Sequence, residues 1–176
     1  MNLILVGYRG TGKSTVAREL TLALRMPKVS FDEELQARAN QSIPEIVAAH
    51  GWEYFRDLEQ DLVAEFAQGS GRILDCGGGV VERSANVPAL RAAGTVFWLT
   101  ASTSSIVARI SGGNARPSLT SSMTFTEEVD SVLHRRTPLY QNLAHVRIDT
   151  DHASPAAIVR QLLSLWPGSS AIEEHS

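Results

Sequence analysis

The 176-residue chain is 43% hydrophobic and 20% charged, which is typical of a soluble globular domain with a single core. Its formal net charge of −3 argues against a general nucleic-acid or membrane surface, so we expect neither partner. The single cysteine, Cys76, excludes an internal disulfide, and the apolar run at residues 3–6 is too short for a signal peptide or a membrane span, so we expect a cytoplasmic protein.

Short apolar runs alternate with longer amphipathic stretches along the chain. The runs that predict strands are residues 3–6, 28–31, 72–76, 95–99 and 146–149. The stretches that predict helices are residues 13–24, 43–50, 52–68, 86–93, 103–110, 124–140 and 155–166. Residues 111–123 have the composition of a loop, and Thr124 with Glu127 fits a capping box at the start of the next helix.

This alternation predicts an α/β fold, a three-layer α/β/α arrangement around a five-stranded parallel sheet. We expect one domain over residues 1–168, because Pro167 and Gly168 end the last predicted helix, followed by a disordered tail over residues 169–176. Ligands of such sheets bind at the carboxyl ends of the strands, so the residues that follow each strand are the first candidates for a site.

The segment GYRGTGKST, residues 7–15, matches the phosphate-binding P-loop pattern Gly7-x-x-x-x-Gly12-Lys13-Ser14. A predicted strand precedes it and a predicted helix follows it, which is the context that the motif requires. In such a loop the backbone N–H groups surround the phosphates, the lysine reaches the β- and γ-phosphates, and the serine hydroxyl binds Mg²⁺. The segment therefore predicts a nucleoside triphosphate and Mg²⁺ as ligands.

A second magnesium ligand is expected at the end of an apolar strand. Asp75 lies near the end of the third predicted strand, in the sequence RILDC. We therefore predict that Ser14 and Asp75 share the ion. The alternative is that Asp75 is an ordinary loop carboxylate or a helix cap.

The site of the phosphate acceptor is predicted from four features that follow strands or lie near them. They are Asp32, Arg56, the run Gly77-Gly78-Gly79, and Arg136. Two arginines can clamp a carboxylate, an aspartate can orient and deprotonate a hydroxyl, and glycines let the backbone approach a small polyol. Together these residues indicate a pocket for an anionic, hydroxylated small molecule.

Each feature also has a purely structural interpretation. Asp32 could be the N-cap of a helix over EELQAR, and Arg56 could pair with Glu53 or Glu59 on its own helix. The glycine run could be a flexible turn, and Arg136 could bind carbonyl groups at a helix end.

In the order and spacing of its motifs the sequence resembles the shikimate kinase family over about residues 2–165. Besides GYRGTGKST, the similar segments are FDEELQARANQSIPEI, GWEYFRDLE, CGGGVV, SGGNARP, HRRTPLY and VRIDT. The resemblance implies a P-loop kinase of the nucleoside-monophosphate-kinase type with sheet order 2-3-1-4-5. It also implies transfer of the γ-phosphate of ATP to the 3-hydroxyl of shikimate, with substrate-binding helices over about residues 32–60 and a lid over about residues 111–123.

The resemblance also implies roles for single residues. Asp32 matches the carboxylate that acts near the attacking hydroxyl, Arg56 and Arg136 match the pair that holds the shikimate carboxylate, and Arg116 matches the lid arginine; Gly77, Gly78 and Gly79 match the substrate-binding glycines. The implied catalytic residues are Lys13, Asp32 and Arg116. The implied nucleotide-binding residues are Gly7, Arg9, Gly10, Thr11, Gly12, Lys13, Ser14, Thr15, Arg109 and Arg116.

One departure from the family concerns the metal. The family usually has Asp-x-Asp after the second strand, where this chain has Ser30 and Asp32. Asp75 stands where the family commonly has a small or neutral residue. We therefore hypothesise that Asp75 replaces the missing carboxylate from the neighbouring strand; the alternative is a weakened metal site in a poor kinase.

Two other functions stay open on the sequence alone. One is a kinase of another small hydroxy or sugar acid such as gluconate, or of a nucleotide. The other is a catalytically weak homologue that binds ATP or similar ligands as a regulatory module, a possibility raised by Ser30. We expect a monomer, since no long exposed apolar stretch predicts a dimer.

Overall fold

The computed structural model describes residues 1–111 and 124–169. Its strands are β1 (Asn2–Val6), β2 (Lys28–Ser30), β3 (Ile73–Asp75), β4 (Gly94–Thr100) and β5 (Val146–Asp149). Its helices are α1 (Lys13–Leu24), α2 (Phe31–Ala39), α3 (Ile43–Phe66), α4 (Asn86–Ala93), α5 (Thr103–Ser111), α6 (Phe125–Leu143) and α7 (Pro155–Leu165). A short 3₁₀-helix spans Val80–Glu82.

The five strands form one parallel sheet in the order β2-β3-β1-β4-β5, which confirms the predicted fold class and sheet order. The central strand β1 pairs with β3 on one side and β4 on the other. In this register Asp75 is opposite Leu5 on one side and opposite Ser30 on the other. The ends of β1, β2 and β3 therefore lie side by side, and the residues that follow them share one edge of the sheet.

Helices cover both faces of the sheet, and the alternation of side chains along β1 divides the core between the two faces. Leu3 and Leu5 pack in a cluster with residues of α1 and α7. Ile4 and Val6 pack in a second cluster with residues of α2, α3, α4 and α6. Because both faces of β1 are covered, all of its residues are buried, as expected for a strand in the middle of a parallel sheet.

The structure differs from the prediction around β2. The predicted strand included Phe31, but Phe31 is the first residue of α2, and Ser30 is the N-cap whose hydroxyl accepts from the Glu33 N–H at 3.4 Å. The alternative that Asp32 caps this helix is therefore wrong, since Asp32 lies inside the first turn. A serine at position 30 satisfies a backbone N–H that would otherwise have no partner within the helix.

The two helices predicted over residues 43–50 and 52–68 are both present; they meet at Gly51, whose backbone is not helical, and together form the kinked element α3. Gly51 has φ 84° and ψ 170°, a conformation that glycine adopts without the steric cost of a Cβ. The kink lets the second half of α3 turn its buried face, including Phe55, Arg56 and Glu59, toward the end of β3.

The capping box predicted at Thr124 and Glu127 is confirmed, and Ser42 with Glu45 forms another at the start of α3. No helix within residues 1–111 and 124–169 is long and apolar enough to cross a membrane. Most of the predicted lid, residues 112–123 with Arg116, and residues 170–176 of the predicted tail lie outside the described part of the chain.

Candidate active site

A cleft of about 910 Å³ opens at the carboxyl ends of β1, β2 and β3. The P-loop forms one wall, α2 and α3 form a second wall, and α6 contributes Val132 and Arg136. The sequence-predicted residues that line it are Arg9, Gly10, Gly12, Lys13, Ser14, Thr15, Asp32, Arg56, Asp75, Gly77, Gly78, Gly79, Arg109 and Arg136. Among the predicted residues that the structure describes, Gly7 and Thr11 do not line it.

The phosphate loop leads directly into α1. Gly12 precedes the helix in a left-handed conformation (φ 91°), and as the N-cap it has no side chain to bond the first N–H groups of α1. These N–H groups can therefore donate to an anion. The buried Thr11 hydroxyl donates to the Tyr8 carbonyl at 2.7 Å, and the Lys13 ammonium donates to the same carbonyl at 3.1 Å. The Thr11 bond therefore stabilises the conformation of the loop, and the Lys13 bond fixes the position of the ammonium group within it.

Two arginines hold the phosphate loop against the rest of the protein. Arg109 on α5 donates to the carbonyl of Gly10 at 3.1 Å and to the Thr150 hydroxyl and carbonyl at 3.0 and 2.7 Å. Arg9 pairs with the buried Glu128 of α6 at 3.4 Å and stacks over Phe125. Both guanidinium groups therefore fix the conformation of the loop. Both arginines also line the cleft, where they are predicted to bind the nucleotide.

Asp75 lies next to Ser14 and Lys13 and is only 5% exposed. Burial raises the pKa of Asp75, while the Lys13 ammonium and a hydrogen bond from the Ser14 hydroxyl oppose this shift. Burial likewise lowers the pKa of Lys13, opposed first by Asp75 and then by Asp32. The strand-end carboxylate and the P-loop cation thus stabilise each other's charged form.

The donors around Ser14 fit a magnesium ion. The Ser14 hydroxyl and the Asp75 carboxylate are oxygen ligands, and Mg²⁺ is commonly held by one or two carboxylates together with phosphates and waters. In the part of the chain that the structure describes, no group of three or more histidine, cysteine, aspartate or glutamate residues could hold a metal by itself. A metal here would thus depend on the nucleotide for further ligands.

Arg56 and Arg136 lie together in the cleft, with exposed fractions of 7% and 9%. Arg56 forms a hydrogen bond with the buried Glu59, as one of the alternatives predicted, whereas Glu53 pairs with Arg83 instead. The Nε atoms of Arg56 and Arg136 each donate to one oxygen of Glu82, at 3.0 and 2.9 Å. The alternative that Arg136 binds helix-end carbonyls is not supported, since its hydrogen bond goes to Glu82.

Each glycine of the run Gly77-Gly78-Gly79 makes room for a different group of the cleft. A Cβ on Gly77 would lie 2.5 Å from Oε1 of Glu59 and 3.2 Å from Oδ1 of Asp32. A Cβ on Gly78 would lie 3.2 Å from the carbonyl oxygen of Gly7, whereas Nη1 of Arg136 would be at an ordinary contact distance of 3.6 Å. A Cβ on Gly79 would overlap the Arg56 guanidinium. The absence of side chains therefore lets the predicted acceptor-binding groups converge on the backbone after β3.

Two groups near the glycine run are not predicted from the sequence, and a third, Glu59, is predicted only as a partner of Arg56. Glu82 accepts hydrogen bonds from both buried arginines, and the Tyr140 hydroxyl donates to the Gly78 carbonyl. Glu59 is 1% exposed, and its Oε1 has no hydrogen-bond partner among the described residues. The only sequence signal for Glu82 was an acidic residue three positions after the glycine run.

Several known proteins are similar to this chain over most of its length. The family model described as Shikimate kinase matches residues 9–166. A Shikimate kinase of Rhodopirellula baltica is 38% identical over 172 residues, covering 96% of this chain and 91% of the relative. One of Pseudomonas savastanoi is 39% identical over 163 residues, covering 93% and 94%. The solved structure of shikimate kinase from Acinetobacter baumannii in complex with shikimate has a TM-score of 0.87 at 28% identity, covering 93% of this chain and 91% of that chain.

Proposed function

The chain belongs to the shikimate kinase family, and from this premise we propose that it transfers the γ-phosphate of ATP to the 3-hydroxyl of shikimate, giving shikimate 3-phosphate. The observation that carries the proposal is the pair of buried arginines, Arg56 and Arg136, beside Asp32 and within one cleft with the P-loop. A carboxylate clamp, a base and a phosphate-binding loop are the groups that phosphorylation of a hydroxy acid requires.

The acceptor is proposed to bind at the ends of β2 and β3. The guanidinium groups of Arg56 and Arg136 hold the shikimate carboxylate, and the backbone of Gly77, Gly78 and Gly79 approaches the ring. Asp32 accepts hydrogen bonds from the shikimate hydroxyls, orients the attacking oxygen and takes its proton. Asp32 suits this role because it is half-buried at the edge of the cleft, opposite Gly77.

The donor is proposed to bind at the P-loop. The N–H groups of residues 7–15 surround the ATP phosphates, while Lys13 and the predicted lid residue Arg116 stabilise the charge on the transferring phosphoryl group. Arg109 and Arg9 complete the nucleotide side of the cleft. Because Arg116 lies outside the described residues, its role remains a prediction from the family resemblance.

Magnesium is proposed to be held by Ser14 and Asp75. When bound there, the ion would supply positive charge to offset the negative charge of the phosphates during transfer. The fit rests on the Ser14 hydroxyl lying close enough to Asp75 to oppose the rise in the pKa of that carboxyl, and on the register that places Asp75 opposite Ser30. The carboxylate that the family usually has at position 30 is thus supplied here from the next strand. A cytoplasmic location and a monomeric state stay predictions from the sequence.

A coupled ADP-release assay tests the function. We expect turnover with ATP, Mg²⁺ and shikimate, and little or none when gluconate or a nucleoside monophosphate replaces shikimate. Turnover with another acceptor but not with shikimate would overturn the proposal. Absence of turnover with every acceptor, in a protein that still binds ATP, would favour a regulatory homologue.

Replacing Gly79 with alanine tests the close approach of the glycine run. The new Cβ would displace the Arg56 guanidinium from its bonds with Glu59 and Glu82. We expect the KM for shikimate to rise about tenfold, because one charge-assisted contact to the carboxylate is weakened, and the KM for ATP to stay nearly unchanged. In an Arg56→Ala background Gly79→Ala should have little further effect; an equal effect in both backgrounds would exclude this explanation.

A further inference from the structure

Glu82 joins the two arginines that are proposed to bind the acceptor. It ends the 3₁₀-helix after the glycine run, and its side chain is 21% exposed. One oxygen accepts from Nε of Arg56 at 3.0 Å, and the other accepts from Nε of Arg136 at 2.9 Å. Arg135 also pairs with this carboxylate, at 2.8 Å. A single side chain therefore fixes one edge of each clamp guanidinium.

Glu82 accepts from Nε of each arginine, and Glu59 accepts from Nη1 of Arg56. These bonds leave Nη2 of Arg56 and both Nη atoms of Arg136 for a ligand. Guanidinium has five N–H donors in a planar fork, and a bond to Nε orients that plane. Nη1 of Arg136 lies 3.6 Å from where a Gly78 Cβ would stand, and Arg56 lies against Gly79. Both guanidinium groups therefore lie close to the backbone where the acceptor is proposed to bind.

Charge explains why such a carboxylate is needed. Two like-charged groups that are each less than a tenth exposed repel one another and have lost water. Burial by itself would raise the pKa of Glu82, but Arg136, Arg56 and Arg135 outweigh it and hold this pKa below its usual range. Glu82 is therefore ionised at neutral pH and compensates part of the positive charge of the two arginines.

The position of Glu82 is itself fixed by the next residue. Arg83 donates to the Glu53 carbonyl at 3.1 Å and to the Asp57 carboxylate at 2.5 Å, both on α3. Arg56 lies on the same half of α3 as Glu53 and Asp57. The bonds of Arg83 therefore hold Glu82 next to the helix that carries Arg56. Glu82 then connects that element to Arg136 on α6.

We propose that Glu82 is a positioning residue for the acceptor site: it aligns Arg56 and Arg136 so that their remaining N–H groups, on Nη2 of Arg56 and on both Nη atoms of Arg136, bind one carboxylate together. This inference rests on the proposed function, since it assigns the clamp to the carboxylate of shikimate. The opposite possibility is that Glu82 competes with the substrate for the two arginines. The two ideas predict changes of opposite sign when the charge of Glu82 is removed.

The test is Glu82→Gln, with Glu53→Gln as the matched control. Glu53 is also a glutamate paired with an arginine near the cleft, but it contacts Arg83 rather than the clamp, and its side chain is 85% exposed. We expect Glu82→Gln to raise the KM for shikimate about tenfold, with kcat and the dissociation constant of ATP within about threefold. Glu53→Gln should leave all three within about twofold.

A second readout separates alignment of the clamp from a general structural effect. Binding of shikimate and of its methyl ester, which lacks the carboxylate charge, is measured by calorimetry for the wild type and the variant. We expect the preference for shikimate over the ester to fall about tenfold in Glu82→Gln, because only the charged ligand uses the clamp. Glu82→Asp retains the charge, but its side chain is one methylene shorter. Its preference for shikimate over the ester should therefore lie between that of the wild type and that of Glu82→Gln.

Each other outcome has a definite meaning. Tighter shikimate binding by Glu82→Gln would show competition and overturn the inference, and an equal loss for shikimate and the ester would show a structural role and overturn it too. If Glu82→Gln does not fold, the same comparison on Glu82→Asp decides, and an unchanged preference there would contradict alignment. Failure of the wild type to phosphorylate shikimate would instead reject the proposed function itself.

Discussion

Replacing Arg136 with alanine should lower kcat/KM for shikimate by about 10² to 10³-fold, since loss of one partner of a buried charged contact costs about 2 to 5 kcal/mol and each 1.4 kcal/mol is tenfold. Arg136 is 9% exposed, and its terminal nitrogens face the glycine run, so no other group in the described cleft can take its place without moving. The dissociation constant of ATP should change less than about twofold, because the phosphate loop does not contact Arg136 through a hydrogen bond or ion pair in the described structure. Steady-state kinetics in both substrates, with calorimetry for ATP, measure the two effects.

Arg135 provides the control within the same helix. Its side chain is 64% exposed, against 11% for Arg136, and it also pairs with Glu82. Arg135→Ala should change kcat/KM for shikimate by less than about threefold, because an exposed ion pair contributes little. Equal losses in the two variants would mean that the charge of this helix end, and not a specific contact of Arg136, supports turnover.

The fold could be predicted because its signals are local and repeat along the chain. β1 is apolar from Leu3 to Val6 and buried on both faces, and the glycines and lysine of residues 7–13 mark the turn from that strand into α1. The sheet order was available only through the family resemblance, since the parallel strands pair across helices and their neighbours are not adjacent in sequence.

The parts of the site that could not be predicted depend on distant groups. In the sequence, Ser30 stands where the family usually has a carboxylate, which suggests only a loss. In the structure its hydroxyl caps α2, a role that could be recognised only once the helix was known to begin at Phe31. Glu82 reads as an ordinary acid after a turn, yet it meets two arginines that lie 26 and 54 residues away in sequence. Pairing of this kind follows from how α3 and α6 pack on the sheet, which no local pattern specifies.

Replacing Asp75 with asparagine should lower kcat about 100-fold and raise the Mg²⁺ concentration needed for half-maximal rate. Loss of a direct ligand should cost at least as much as loss of an outer-shell partner of a metal site, which costs about 10- to 100-fold. Asparagine has the same shape, so the strand is undisturbed, but it cannot supply the charge that the buried carboxylate places beside Ser14 and Lys13. A thermal melt with and without Mg²⁺ and ADP gives a readout that does not depend on turnover: the ligand-induced rise in Tm should be smaller in the variant. An unchanged Mg²⁺ requirement together with full turnover would refute the metal role of Asp75.

Ser30→Asp in the same background separates the metal from the ion pair with Lys13. Ser30 is opposite Asp75 in the β2–β3 register, and aspartate caps a helix as well as serine does, so the substitution moves the carboxylate to the neighbouring strand without removing the cap of α2. If the ion needs one strand-end carboxylate near Ser14, the double variant should recover much of the lost rate and the lower Mg²⁺ requirement. The alternative is that Asp75 acts mainly through Lys13, since its carboxylate is the charge that does most to oppose the lowering of the Lys13 pKa by burial. In that case Ser30→Asp should restore little of the rate. Recovery would mean that the position of the acid can shift between adjacent strands while the P-loop serine stays fixed.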